Sequence, residues 1–273
     1  MRSIFLCTRA QTVSAVYPPE TVAALQACAH LDPAVYTLSD LENAPQRFAD
    51  VTHVFSTWGM PRMTEEEIRA LLPQLTCVFY AAGSVQGFAR PFLHCGVRVF
   101  SAWAANAVPV AEYTLAQILL AGKGFFHLSR LMHEGGAGDA HRLKSTYRGN
   151  YGAKIGLIGA GMIGQKVIEL LRPYRLDVRV FDPFLSDEKA QALGVLKCPL
   201  HTLFETCQVV SNHLANNERT RGMLDAACFE ALPPYATFIN TARGAQVVEA
   251  DLARVLAQRP DLTAVLDLSL IHI

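Results

Sequence analysis

The sequence has no surplus of either charge, no long apolar run and no paired cysteines. Lys plus Arg equals Asp plus Glu, 24 against 24 in 273 residues. Binding to nucleic acid draws on a basic excess or stripe, and its absence argues against such a partner. The greasiest stretch, residues 115–121, is far shorter than a bilayer span and sits between Glu112 and Lys123. Residues 1–9 hold too short an apolar stretch for a signal peptide. The seven cysteines are odd in number and never form C-x-x-C, which argues against a disulfide framework and a zinc site. In Thr76-Cys77-Val78-Phe79 the cysteine reads as a small core residue. His30, His53, His94, His127, His133, His141 and His201 lack metal-ligand spacing. The expectation is a soluble cytoplasmic protein with no metal and no membrane contact.

What is present is the material of a globular α/β fold. Half the residues are hydrophobic (51%) and 18% are charged, enough for two modest domains with separate cores. Short β-like runs alternate with helical segments, the pattern of parallel sheets. In the first half strands are expected at 4–7, 53–56, 77–81 and 97–100, with helices near 19–29 and 64–72. Thr64 with Glu67 three residues later is a capping box, and Glu65-Glu66-Glu67 reads as a solvated first turn favoured by the helix dipole. A long helix is expected over 108–133, ending in a flexible glycine-rich exit, Glu134-Gly135-Gly136-Ala137-Gly138. In the second half strands are expected at 154–158, 177–181, 208–213, 236–240 and 263–267. Helices fall between them near 162–171, 186–193, 224–231 and 248–257. The domain boundary is expected at 103/104.

The most informative segment is Lys154-Ile155-Gly156-Leu157-Ile158-Gly159-Ala160-Gly161-Met162-Ile163-Gly164. Gly159, Gly161 and Gly164 form G-x-G-x-x-G between an apolar strand run and an amphipathic helix. Such glycines permit a tight turn, a close approach of backbone to a pyrophosphate, and packing of helix on strand. The N–H groups of Met162 and Ile163 then face phosphate at the helix N-terminus. The next strand run, Val178-Arg179-Val180-Phe181, ends in Asp182, eighteen residues past Gly164. A carboxylate there accepts hydrogen bonds from ribose hydroxyls and repels an added phosphate, so NAD is expected rather than NADP.

Further motifs join this one. They are Val210-Ser211-Asn212-His213-Leu214-Ala215-Asn216-Asn217, Phe238-Ile239-Asn240-Thr241-Ala242-Arg243-Gly244-Ala245 and Ala264-Val265-Leu266-Asp267, with Ala81-Ala82-Gly83-Ser84-Val85 and Asn106-Ala107-Val108-Pro109-Val110-Ala111-Glu112 upstream. Together they resemble the D-isomer-specific 2-hydroxyacid dehydrogenases, the family of phosphoglycerate, glyoxylate/hydroxypyruvate, D-lactate and formate dehydrogenases. The resemblance covers nearly the whole chain. It implies a Rossmann doubly wound parallel sheet over 104–273, preceded by a smaller flavodoxin-like α/β substrate domain over 1–103. It also implies a homodimer and a small 2-hydroxy or 2-oxo acid as substrate. By the same resemblance Arg243 clamps the substrate carboxylate, which suits a permanently charged planar fork. Gly83, Ser84 and Asn106 then line the substrate site. His213, Ala215, Thr241, Ala242 and Asp267 lie along the cofactor, although Ala215 stands where the family has proline. Trp58, Arg62 and Trp103 are candidates for shaping the cleft.

After Leu266-Asp267 the family continues with a glutamate and a histidine that exchanges a proton with the 2-hydroxyl. Here the sequence reads Leu268-Ser269-Leu270-Ile271-His272-Ile273, and His272 comes too soon for that place. The departure leads us to expect a chain truncated at its C-terminus, with residues 269–273 foreign to it and hydride transfer impaired. Two other readings stay open at this point: a non-catalytic NAD-sensing interaction protein of the corepressor kind, and an inactive fragment of the dehydrogenase.

Overall fold

Apolar runs of four to six residues, separated by helix-forming segments, build two parallel sheets in the computed structural model. It describes residues 2–147 and 149–267, so the expected break after Asp267 and the tail 269–273 lie outside the described residues. The chain divides into two units between Asn106 and Ala107.

The first unit contains β1 (Ser3–Leu6), β2 (Leu31–Tyr36), β3 (His53–Ser56), β4 (Cys77–Tyr80) and β5 (Arg98–Ser101). All pair in parallel, in the order β2-β1-β3-β4-β5. That is the flavodoxin-like doubly wound order. The strand β2 was not expected, because Pro33 interrupts its pattern. It lies at the sheet edge and its register slips between Ile4 and Phe5, a position where the missing proline N–H is tolerated.

The second unit contains β6 (Lys154–Ile158), β7 (Asp177–Phe181), β8 (Leu196–Lys197), β9 (Val209–Asn212), β10 (Thr237–Asn240) and β11 (Thr263–Leu266). The order is β11-β10-β9-β6-β7-β8, again all parallel. Central β6 is buried along nearly its whole length, as expected of a strand covered on both faces. Alternate residues feed two apolar layers. Ile155, Leu157 and Ile239 join one, and Ile158, Val210 and Phe238 the other. Helix Met162–Leu171 buries Gly164, Val167, Ile168 and Leu171, a stripe at i, i+3, i+4 and i+7.

Two expectations need correction. The long helix is two helices, Trp103–Gly122 and Phe125–His133. Gly124 separates them at φ +68°, and a Cβ there would lie 2.4 Å from the Tyr147 ring. The turn therefore takes a left-handed residue without a side chain. The glycine run after His133 is no exit loop either, since helix Ala137–Leu143 starts within it. Among the described residues no helix is long and apolar enough to cross a membrane.

Candidate functional site

Strand register sets the expected cofactor residues of the second unit in one row. Ile158 pairs with Phe181 and with Asn212, Asn212 with Asn240, and Asn240 with Leu266. The next residues along these strands are Gly159, Asp182, His213, Thr241 and Asp267. They stand side by side at the C-terminal edge of the sheet, where open α/β sheets bind ligands.

Each glycine of the turn has its own steric reason. Gly159 has φ +93°, and a Cβ there would sit 3.0 Å from the His213 carbonyl oxygen. A Cβ on Gly164 would lie 2.1 Å from the Gly159 carbonyl oxygen, so this glycine lets the helix close on the turn. A Cβ on Gly161 would meet nothing within 4 Å. Its place is open space in front of the N-terminus of helix Met162–Leu171. The first N–H groups of that helix have no helical carbonyl behind them, so the cradle fits a dinucleotide pyrophosphate.

Asp182 is bound to this turn. Its Oδ2 accepts the Ala160 N–H at 2.7 Å and its Oδ1 accepts the Phe184 N–H at 2.8 Å. The other lone pairs of each oxygen remain for ribose hydroxyls. Gln165, which the sequence did not single out, donates from Nε2 to the Ala160 carbonyl at 2.6 Å. The Ala160 peptide is thus held from both sides. Only the position of Gln165 one turn past Gly161 could have signalled this.

His213 closes the back of the turn. Its N–H donates to the Ile158 carbonyl at 2.8 Å. Its buried ring is hydrogen-bonded through Nε2 to Ser211 Oγ at 3.0 Å and through Nδ1 to Thr241 Oγ1 at 3.3 Å. Burial pushes its pKa down to about 4, because desolvation disfavours the imidazolium. Thr241 also receives a hydrogen bond from Thr114 Oγ1 at 3.5 Å. Ala215 is exposed, and its carbonyl accepts from Thr220 Oγ1 at 2.7 Å. Asp267 donates its N–H to the Asn240 carbonyl at 3.1 Å.

Arg243 follows β10 directly after Thr241 and Ala242. Its guanidinium is exposed and donates from Nη1 to the Ala242 carbonyl at 2.6 Å. Among the described residues no carboxylate pairs with it. A permanently charged fork without a protein anion, on the same sheet edge as the glycine turn, is available to an anionic ligand. Its backbone is held by buried amides. Asn240 Oδ1 accepts the Ala242 N–H at 3.1 Å, and Asn240 Nδ2 donates to the Arg243 carbonyl at 3.2 Å.

In the first unit Gly83 and Ser84 follow β4, and Asn106 lies in the first turns of helix Trp103–Gly122. A Cβ on Gly83 would lie 3.1 Å from Asn106 Nδ2, so the two are adjacent. Ser101 Oγ donates to the carbonyls of Ala82 at 2.9 Å and Gly83 at 2.5 Å. Ser84 Oγ accepts the Gln86 N–H at 3.4 Å. Trp58 and Trp103 are both exposed.

Residues 115–269, more than half of the chain, match the model of the D-isomer specific 2-hydroxyacid dehydrogenase NAD-binding domain. The chain belongs to this family. The cofactor of the family's domain is NAD, and the turn, the helix N-terminus and Asp182 described above fit it. Erythronate-4-phosphate dehydrogenase of Ectopseudomonas mendocina is 34% identical over 176 residues, 64% of this chain and 40% of that protein. D-3-phosphoglycerate dehydrogenase of Bacillus subtilis is 29% identical over 63% of this chain and 32% of that protein. The match thus spans less than half the length of these two curated relatives. Among solved structures, holo D-mandelate dehydrogenase of Rhodotorula graminis superposes with a TM-score of 0.80 at 19% identity. It covers 99% of this chain and 82% of that one. The NAD+-bound 3-phosphoglycerate dehydrogenase of Entamoeba histolytica gives 0.69 at 20% identity, over 98% of this chain and 80% of that one. These likenesses establish the fold.

Proposed function

We propose that the protein transfers a hydride between NAD and C2 of a small D-2-hydroxy or 2-oxo acid. The observation that carries this reading is the exposed guanidinium of Arg243, paired with no carboxylate among the described residues, on the strand edge that also carries the glycine turn. When bound, NADH supplies the hydride. The N–H groups of Met162 and Ile163 hold the pyrophosphate in front of Gly161, and Asp182 accepts the adenosine ribose hydroxyls and disfavours a 2′-phosphate. Thr241, Ala242 and Asp267 flank the nicotinamide end. His213, neutral and buried, braces the turn from behind, while Ala215 lies on the exposed side of the same loop.

Arg243 binds the substrate carboxylate bidentately and stabilises the charge that develops on the carbonyl oxygen during reduction. Gly83 and Ser84, with Asn106 beside their loop, are the substrate-binding residues of the first unit in this reading. This role makes residues up to the start of helix Trp103–Gly122 the substrate domain and the remainder the nucleotide domain. The exposed Val108, Tyr113 and Leu120 of that helix support a homodimer, since apolar groups on one long helix gain by mutual burial.

The test is direct. The protein is titrated with NADH, and a panel of 2-oxo acids is then added while NADH absorbance is followed. Saturable NADH binding that tightens with a 2-oxo acid, or NADH consumption by one, supports the reading. NADH binding with no response to any 2-oxo acid removes the assigned substrate class.

A further inference from the structure

Three side-chain amides lie buried between the loops that follow β9 and β10: Asn212, Asn240 and Gln246 are each at most 1% exposed. Burial of so many polar atoms is costly unless every one finds a partner, and here they do. Asn212 Nδ2 donates to Asn240 Oδ1 at 3.1 Å and to Gln246 Oε1 at 2.8 Å. Asn212 Oδ1 accepts the Leu214 N–H at 3.2 Å.

Gln246 joins the two loops. Its Oε1 also accepts the Arg243 N–H at 3.3 Å, and its Nε2 donates to the Leu214 carbonyl at 2.8 Å. Leu214 follows His213, whose carbonyl packs against Gly159. One side chain therefore fixes the backbone that carries the guanidinium and the backbone that abuts the glycine turn.

We infer that Gln246 is a positioning residue: through its amide it sets where Arg243 presents its guanidinium relative to the nucleotide turn. The inference rests on the reading of Arg243 as the carboxylate clamp. An apolar residue would fill the same space but leave the Arg243 N–H and the Leu214 carbonyl without partners. A loop displaced by a fraction of an ångström weakens a bidentate contact strongly.

The experiment measures oxamate affinity in the presence of saturating NADH for the wild type, Arg243→Ala, Gln246→Met and Gln246→Glu. Methionine keeps the volume and loses all three hydrogen bonds, to Asn212, Arg243 and Leu214. Glutamate keeps the acceptor for the Arg243 N–H. Positioning predicts that Gln246→Met weakens oxamate about tenfold or more, with a smaller effect on NADH, and that Gln246→Glu recovers most of the loss. A packing role predicts the reverse order, because the buried carboxyl is the harsher change for a core.

Oxamate affinity in Gln246→Met equal to wild type, or weaker in Gln246→Glu than in Gln246→Met, overturns the inference. Arg243→Ala separates the two claims, since unchanged oxamate affinity there removes the clamp itself. If the wild type has no oxamate affinity, the clamp reading and the inference fall together; if only Gln246→Glu does not fold, deuterium uptake at residues 242–248 of Gln246→Met decides. Faster uptake than wild type in an otherwise equally protected protein supports the inference, and equal uptake overturns it.

Discussion

Asp182 Oδ2 accepts the Ala160 N–H at 2.7 Å, so the carboxylate ending β7 and the glycine turn ending β6 form one unit before any nucleotide arrives. In the proposed reading the turn carries the phosphate-facing amides and the carboxylate faces the sugar. Loss of either partner loosens both.

Asp182→Ala should therefore weaken NADH by about tenfold or more, the loss of a charge-assisted hydrogen bond together with the ribose contact. It should also narrow the preference for NADH over NADPH, because the repulsion of the 2′-phosphate is gone. Parallel fluorescence titrations with both nucleotides measure this. An unchanged ratio contradicts the role.

Two glycine substitutions should separate folding from binding. Gly161→Ala places a Cβ in open space, so the melting temperature should stay near wild type while NADH affinity drops. Gly164→Ala drives a Cβ to 2.1 Å from the Gly159 carbonyl oxygen, which should cost about 2 kcal/mol or more in stability. Thermal melts and NADH titrations of both variants distinguish the effects. A stable Gly164→Ala variant with normal binding rules out the tight closure.

Arg243→Ala should abolish oxamate binding and leave NADH binding nearly intact, since the guanidinium is absent from the turn that holds the pyrophosphate. Arg243→Lys should recover only part, because an ammonium cannot reproduce the planar fork. Calorimetric titration of the NADH-loaded protein measures both. Equal oxamate affinity in wild type and Arg243→Ala removes the clamp.

His213 predicts a pH dependence of stability. Its folded pKa is about 4 against 6.5 for the unperturbed group. The unfolded chain therefore takes up a proton that the folded one refuses. The neutral ring's contribution is fully present above pH 6.5 and is lost as pH falls from there to about 4. The total is about 3 kcal/mol. Melting temperature against pH should fall over this window in wild type and less steeply in His213→Gln. Parallel curves contradict the assignment.

Much of this architecture was legible because it rests on local chemistry. The apolar run 154–158 followed by Gly159, Gly161 and Gly164 announces a strand, a tight turn and a helix, and Asp182 sits one strand further on. The strand ends that carry His213, Thr241 and Asp267 follow the same alternation. What escaped depends on partners distant in sequence. Gly124 breaks the long helix because the Tyr147 ring fills the place of its side chain, and no periodicity contains that fact. Pro33 concealed β2, whose position at a sheet edge makes the proline harmless. Gln246 looked like any polar residue after a strand until register brought Asn212 and Asn240 beside it.

The central claim is that the row of strand ends in the second unit holds NAD in front of Gly161. A calorimetric titration of the protein with NADH, repeated on Gly161→Val, tests it most directly. The account predicts saturable binding by the wild type and none by the equally stable variant. Absence of NADH binding in the wild type, or binding that survives a side chain at Gly161, would contradict it.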